Sequence, residues 1–187
     1  MRITFNAPLT LAFTFLAMVA TLVDHWTGGE IRYHFFSVHA PVELTDPFSV
    51  LRLFTHVLGH DGWAHLTSNF AIILLLGPMV EGHYGSLRLL LMIATTAAVT
   101  GLIHVVFFSS GLMGASGIAF MMILLGSLTN SQKGSVPLSF LLVSVLYLGN
   151  EALMMLKADS ISQMAHIVGG CCGAVFGFLW QGKRATS

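Results

Sequence analysis

The sequence predicts an all-α, polytopic membrane protein: a six-transmembrane-helix bundle with a large interfacial loop between helices 1 and 2. Three observations carry that prediction. Of the 187 residues, 55% are hydrophobic and only 9% are charged, against roughly 25% charged in an average soluble domain. The mean hydropathy is +0.82, and a soluble domain of this size could not hide so much apolar surface in one core. Apolar runs close to the roughly 20 residues that a bilayer crossing needs recur along the chain. Eight basic and eight acidic side chains cancel to zero formal charge. So apolar a chain is not disordered. With no basic excess to neutralise phosphates, nucleic acid is excluded as a partner.

The first span is residues 8–26, PLTLAFTFLAMVATLVDHW. Arg2 ahead of an apolar run resembles the start of a signal peptide. No small-x-small cleavage site followed by a soluble domain appears, so the segment is expected to be an uncleaved first helix. Residues 27–63 differ in kind. They hold Glu30, Arg32, Glu43, Asp46, Arg52 and Asp61 among many aromatics, too charged to span and too apolar for a linker. An amphipathic loop at the membrane interface is expected, with Arg52 as an anchor.

Further spans are expected at about 64–82, 86–108, 116–130, 137–156 and 163–182, all in one domain covering residues 1–187. The span at 116–130 is short. It follows the irregular segment SSGLMGA at 109–115, and non-helical backbone at membrane depth is tolerated only where protein or a water-filled cavity covers it. Connections such as NSQKGS at 130–135 and KADS at 157–160 are brief. Cys171 and Cys172 are adjacent in an apolar run and are expected to be small buried side chains without a disulfide. With six spans, Arg2, Arg88, Lys133, Lys183 and Arg184 fall on one side and Arg32, Arg52 and Lys157 on the other. The excess of basic residues places both termini in the cytoplasm.

Polar residues inside spans are costly, so each is a functional hypothesis. One cluster runs from Thr55 to Asn69, where His65 and Asn69 are four apart and share a helix face. A second is Gly114-Ala115-Ser116-Gly117, and a third is Ala165-His166-Ile167-Val168-Gly169. Together, GASG (Gly114–Gly117), HLTSN (His65–Asn69) and AHIVGGCCG (Ala165–Gly173) resemble the GxSG, HxxxN and AHxxGxxxG motifs of rhomboid intramembrane serine proteases. Their order and spacing agree with that family, and six helices is the size of its compact bacterial form. Glu81–Ser86 resembles the family's loop after the second span, and the resemblance covers about residues 50 to 180.

The chemistry agrees with the resemblance. A serine hydroxyl is a weak nucleophile until a base takes its proton, and histidine is the usual base. Ser116 and His166 lie on different spans, so they meet only if those helices touch. Gly169, Gly173 and Gly177, at four-residue intervals, clear one face for close approach. No aspartate is near enough in sequence to serve as a third member, so a Ser116–His166 dyad is expected. Oxyanion donors are expected from His65, Asn69 and the Ser116 backbone N–H. Gly114 and Gly117 permit a tight backbone turn. Phe120, one turn after Ser116, is expected to present its ring to His166 where many rhomboids have tyrosine. Leu51-Arg52 departs from the Trp-Arg often found in bacterial relatives.

The remaining polar residues receive blander readings. His56 and His60 with His65 suggest zinc, but Val57 fills the glutamate position of HExxH, so no metal site is expected and His60 is expected to anchor the loop. Thr100 and His104 share a helix face and suit packing or water retention. Glu81 and Arg88 are expected to mark a membrane interface, and Glu151 sits unexplained at mid-depth of the fifth span.

The resemblance therefore implies a serine endopeptidase that hydrolyses peptide bonds in or beside the helices of single-pass transmembrane substrates. It would use no metal or organic cofactor. It would lie among membrane lipid in a bacterial inner or plasma membrane, its active site opening to the outer face. The alternative is an inactive rhomboid-like protein that binds transmembrane clients without cutting them.

Overall fold

The computed structural model describes residues 6–129, 131–155 and 160–181. Arg2, Lys157, Lys183 and Arg184, which entered the expected orientation, lie outside the described residues. So do positions 130, 156 and 182, where three of the expected spans end. The chain forms helices α1 (Pro8–Trp26), α2 (Glu30–Phe35), α3 (Pro47–Thr55), α4 (Gly62–Tyr84), α5 (Ser86–Phe107), α6 (Ser116–Leu128), α7 (Leu138–Met155) and α8 (Ser160–Leu179). A 3-10 turn, His56–Leu58, follows α3. Five of these helices, α1, α4, α5, α7 and α8, are long and apolar enough to cross a membrane.

Helix α6 is the exception, and its position explains why. Its 13 residues reach about 20 Å at ~1.5 Å per residue, short of the ~30 Å hydrocarbon core. A helix that is apolar all round is a core helix. Ile118, Met121, Met122, Leu124 and Leu125 of α6 are all fully enclosed, so its neighbours replace the lipid. Chief among them is α8. A Cβ added at Gly169 would strike the Gly117 backbone, and one at Gly173 would strike the Met121 backbone. The glycine stripe therefore lets two backbones meet where any side chain would separate them. Cys171 lies on another side of α8 and is exposed, while Cys172 is half-buried; the expected burial of both fails because only the glycine face turns inward.

Glu81, expected to mark a membrane interface, is a buried cap, 4% exposed, at the end of one apolar helix and the start of another. Helix α1 starts with no side-chain cap of its own. The carboxylate of Glu81 on α4 accepts the Leu9 and Thr10 N–H groups, each at 2.9 Å, and the Thr10 hydroxyl at 2.7 Å. Ser86 donates to it as well, at 2.7 Å. Four donors and the positive end of the α1 dipole offset the burial of the charge.

The loop expected at 27–63 contains α2 and α3 and gives up its last two residues to α4. Asp46 caps α3 by accepting the Phe48 and Ser49 N–H groups, each at 3.0 Å, and Pro47 opens the helix. Arg52 anchors this segment as expected, donating to the His34 carbonyl at 3.0 Å and lying 3.5 Å from the Asp46 carboxylate. Val38 pairs with Leu112 through reciprocal N–H···O bonds of 2.9 and 3.0 Å. The interfacial segment is thereby joined to the irregular stretch before α6.

Candidate active site

The segment 109–115 has no helix to satisfy its backbone, yet several of its polar groups find partners elsewhere. Besides the Val38–Leu112 pair, the Gly114 N–H donates to the His56 carbonyl at 2.9 Å. The Ala115 N–H donates to His60 Nε2 at 3.2 Å. His104 Nε2 donates to the Ser110 carbonyl at 2.6 Å, its ring stacked on Phe108. Three histidine residues thus mould the approach to Ser116. Two of them are anchored in turn: His56 Nε2 donates to the Ala97 carbonyl at 3.1 Å, and His60 Nδ1 to the Leu58 carbonyl at 3.2 Å. The Thr100 hydroxyl is turned back onto the Thr96 carbonyl. Gly114 adopts φ +115°, a conformation that only glycine takes without strain. A Cβ there would stand 2.8 Å from the His65 ring.

His60 can hold Ala115 only while Nε2 is unprotonated. Burial, and then the neighbouring His65, push its pKa down to about 4. Burial likewise lowers His56 to about 4. The unfolded chain binds these protons near 6.5, so acid favours unfolding between about 6.5 and 4 and has no such effect above that window. Each group contributes a slope of up to about 1.4 kcal/mol per pH unit. Thermal unfolding in detergent should show a midpoint flat from pH 8 to 7 and falling below ~6.5. His60→Gln should flatten the fall; an unchanged slope would dissociate His60 from it.

Ser116 opens α6 and is half-buried. One turn on, the Phe120 ring stacks on His166 of α8, with centroids 4.2 Å apart and planes within 5°. The Gly117–Gly169 contact sets this distance, because Gly169 lies one turn beyond His166. From α4, His65 and Asn69 both face Gly114. The Asp61 N–H donates to His65 Nδ1 at 3.2 Å, which assigns the neutral ring's proton to Nε2. Asn69 is 7% exposed, and its Nδ2 is buried without a hydrogen-bond partner. A buried donor without a partner costs about 1–3 kcal/mol, and here it points at the segment that leads to the serine.

One further residue enters the site that sequence reasoning left unplaced. Glu151 of α7 brings Oε2 to 3.1 Å from His166 Nδ1. Its signal was visible as a carboxylate inside an apolar span, but its partner was not. On the interfacial side, a cleft of about 400 Å³ lined by Arg32, Ser37, His39, Asp61 and Met113 opens beside the serine segment.

These features define an integral, multi-pass helical membrane protein with a serine and a histidine on two helices packed at glycine contact. A Rhomboid domain matches residues 47–182, and the chain belongs to the rhomboid family. It is 23% identical over 155 residues to rhomboid protease GlpG of Haemophilus influenzae (strain ATCC 51907 / DSM 11121 / KW20 / Rd), covering 81% of each chain. It is also 29% identical over 143 residues to YdcA of Bacillus subtilis (strain 168), provisionally named a rhomboid protease, covering 71% of this chain and 68% of the relative.

Proposed function

We propose that the protein is an intramembrane serine endopeptidase in which Ser116 and His166 form the catalytic pair within a six-helix transmembrane domain. The observation that carries this reading is the Phe120–His166 stack one turn below Ser116. It supports a base standing near the start of α6, where Ser116 is the first residue. The Ser116 hydroxyl attacks the scissile carbonyl and its proton passes to His166, forming a tetrahedral oxyanion. Collapse of that intermediate breaks the C–N bond, His166 returns the proton to the leaving amine, and an acyl ester remains on Ser116. Water then repeats the cycle, entering from the cleft beside Met113, and regenerates the serine.

The oxyanion is held by Asn69 Nδ2, His65 Nε2 and the Ser116 N–H, whose position in the first helical turn leaves it without a partner inside the helix. Asn69→Ala should lower kcat by about 10²–10³-fold. Because the Asn69 donor has no partner to lose, the unfolding midpoint should hold. A kcat within twofold of wild type would remove Asn69 from the oxyanion site.

Substrates are single-pass transmembrane proteins that unwind locally, since a helix hides its carbonyls. With lipid around it in a bacterial inner membrane and both termini cytoplasmic, the enzyme cuts near the outer face. The test is labelling of the detergent-purified protein with a fluorophosphonate probe, beside Ser116→Ala and His166→Ala. Labelling of the wild type alone supports the serine enzyme. No labelling of folded wild type, repeated in liposomes, would move the protein to a client-binding, non-hydrolytic role.

A further inference from the structure

We propose that Glu151 is the positioning carboxylate of this site, so that Ser116, His166 and Glu151 act in line. The proposal rests on the reading of Ser116 and His166 given above. Glu151 Oε2 lies 3.1 Å from His166 Nδ1, with the two side chains 13% and 18% exposed. Nδ1 is buried and has no other partner among the described residues. A carboxylate inside an apolar span is expensive unless paired, and His166 is the partner it has.

The stacked Phe120 fixes the plane of the imidazole, not its rotation within that plane. A partner at the ring edge is needed to choose which nitrogen faces the serine. A carboxylate at Nδ1 makes that choice: it holds the proton on Nδ1 and leaves the Nε2 lone pair for the Ser116 hydroxyl. When Nε2 takes the serine proton, the ring becomes an imidazolium and Glu151 stabilises it. The proton on Nε2 goes on to the leaving amine, and none passes to Glu151. The contact is oblique, since Nδ1 has ion-pair distance without an in-line hydrogen bond. Such geometry tightens when charge develops on the ring.

Helix α7 places the carboxylate through a second contact on the same face. Tyr147, one turn before Glu151, sets its ring edge-on to Phe120 at 5.9 Å and 77°. The three rings and the carboxylate thus form one continuous set across α6, α7 and α8.

The experiment compares wild type with Glu151→Gln and Glu151→Asp in proteoliposomes, after thermal unfolding shows which variants are folded. It reads kcat and KM on a transmembrane substrate and the rate of fluorophosphonate labelling at Ser116. We expect Glu151→Gln to lower kcat by about a hundredfold, the scale of a misplaced catalytic group. KM should be unchanged, labelling should slow by the same factor, and Glu151→Asp should recover part of both. A carboxylate that merely holds α7 in place would change KM and leave the labelling rate alone. Labelling of folded Glu151→Gln and Glu151→Asp at the wild-type rate overturns this assignment and leaves Ser116 and His166 standing. Absence of labelling in the wild type overturns both.

Discussion

Cleavage of a transmembrane substrate should fall about 10⁶-fold in Ser116→Ala and about as far in His166→Ala, with no further loss in the double variant. In the reading proposed above the two side chains share one proton. Without His166 the serine hydroxyl stays protonated, and without Ser116 the histidine has nothing to activate. Neither residue carries a large share of the fold: both are half-buried, and the ring of His166 meets Glu151 at its edge and Phe120 on its face. The unfolding midpoints should therefore stay close to wild type, separating lost chemistry from lost structure. Losses that add in the double variant would mean that the two residues do not act as a unit. Residual turnover of folded Ser116→Ala within tenfold of wild type would require another nucleophile.

The second large effect concerns stability. At Gly169 and Gly173 a Cβ would meet backbone of α6, whereas at Gly177 it would meet the side chain of Leu128. A leucine tip can rotate away; a backbone carbonyl cannot. Gly169→Ala and Gly173→Ala should each destabilise the protein by about 3 kcal/mol, the upper end of overpacking costs, and Gly177→Ala by about 1 kcal/mol or less. Equilibrium unfolding in mixed detergent micelles measures the order. Gly169→Ala should also lower activity in the protein that remains folded, because separating the helices draws His166 away from Ser116. Equal costs at all three glycines would mean that the stripe is not the contact that seats α8.

The helical bundle was legible because bilayer thickness limits how an apolar run can fold. The GASG, HLTSN and AHIVGGCCG segments were legible because their polar residues are out of place in lipid. What stayed hidden depended on partners distant in sequence. Helices α2 and α3 are too short for periodicity to register, although Asp46-Pro47 is a helix-start signal that could have located the second. That Glu81 caps another helix shows only once the N-terminus of α1 is seen resting on it. His56 and His104 gave no hint that they support the serine segment, since each acts on backbone in a different part of the chain. The carboxylate beside His166 is a glutamate from the preceding helix.

The residues that mould the serine segment have one further property in common, their place in the order of synthesis. Val38, His56, His60 and His104 all precede Ser116 in the chain, and His60 reaches Ala115 across 55 positions. Glu151 and His166 follow it, on the last two helices. Chains emerge N-terminus first, so these hydrogen-bond partners are made before Ser116, and His166 comes in with the final helix. On the reading of Ser116 and His166 proposed above, a nascent chain therefore holds a shaped but unarmed serine until its last helix arrives.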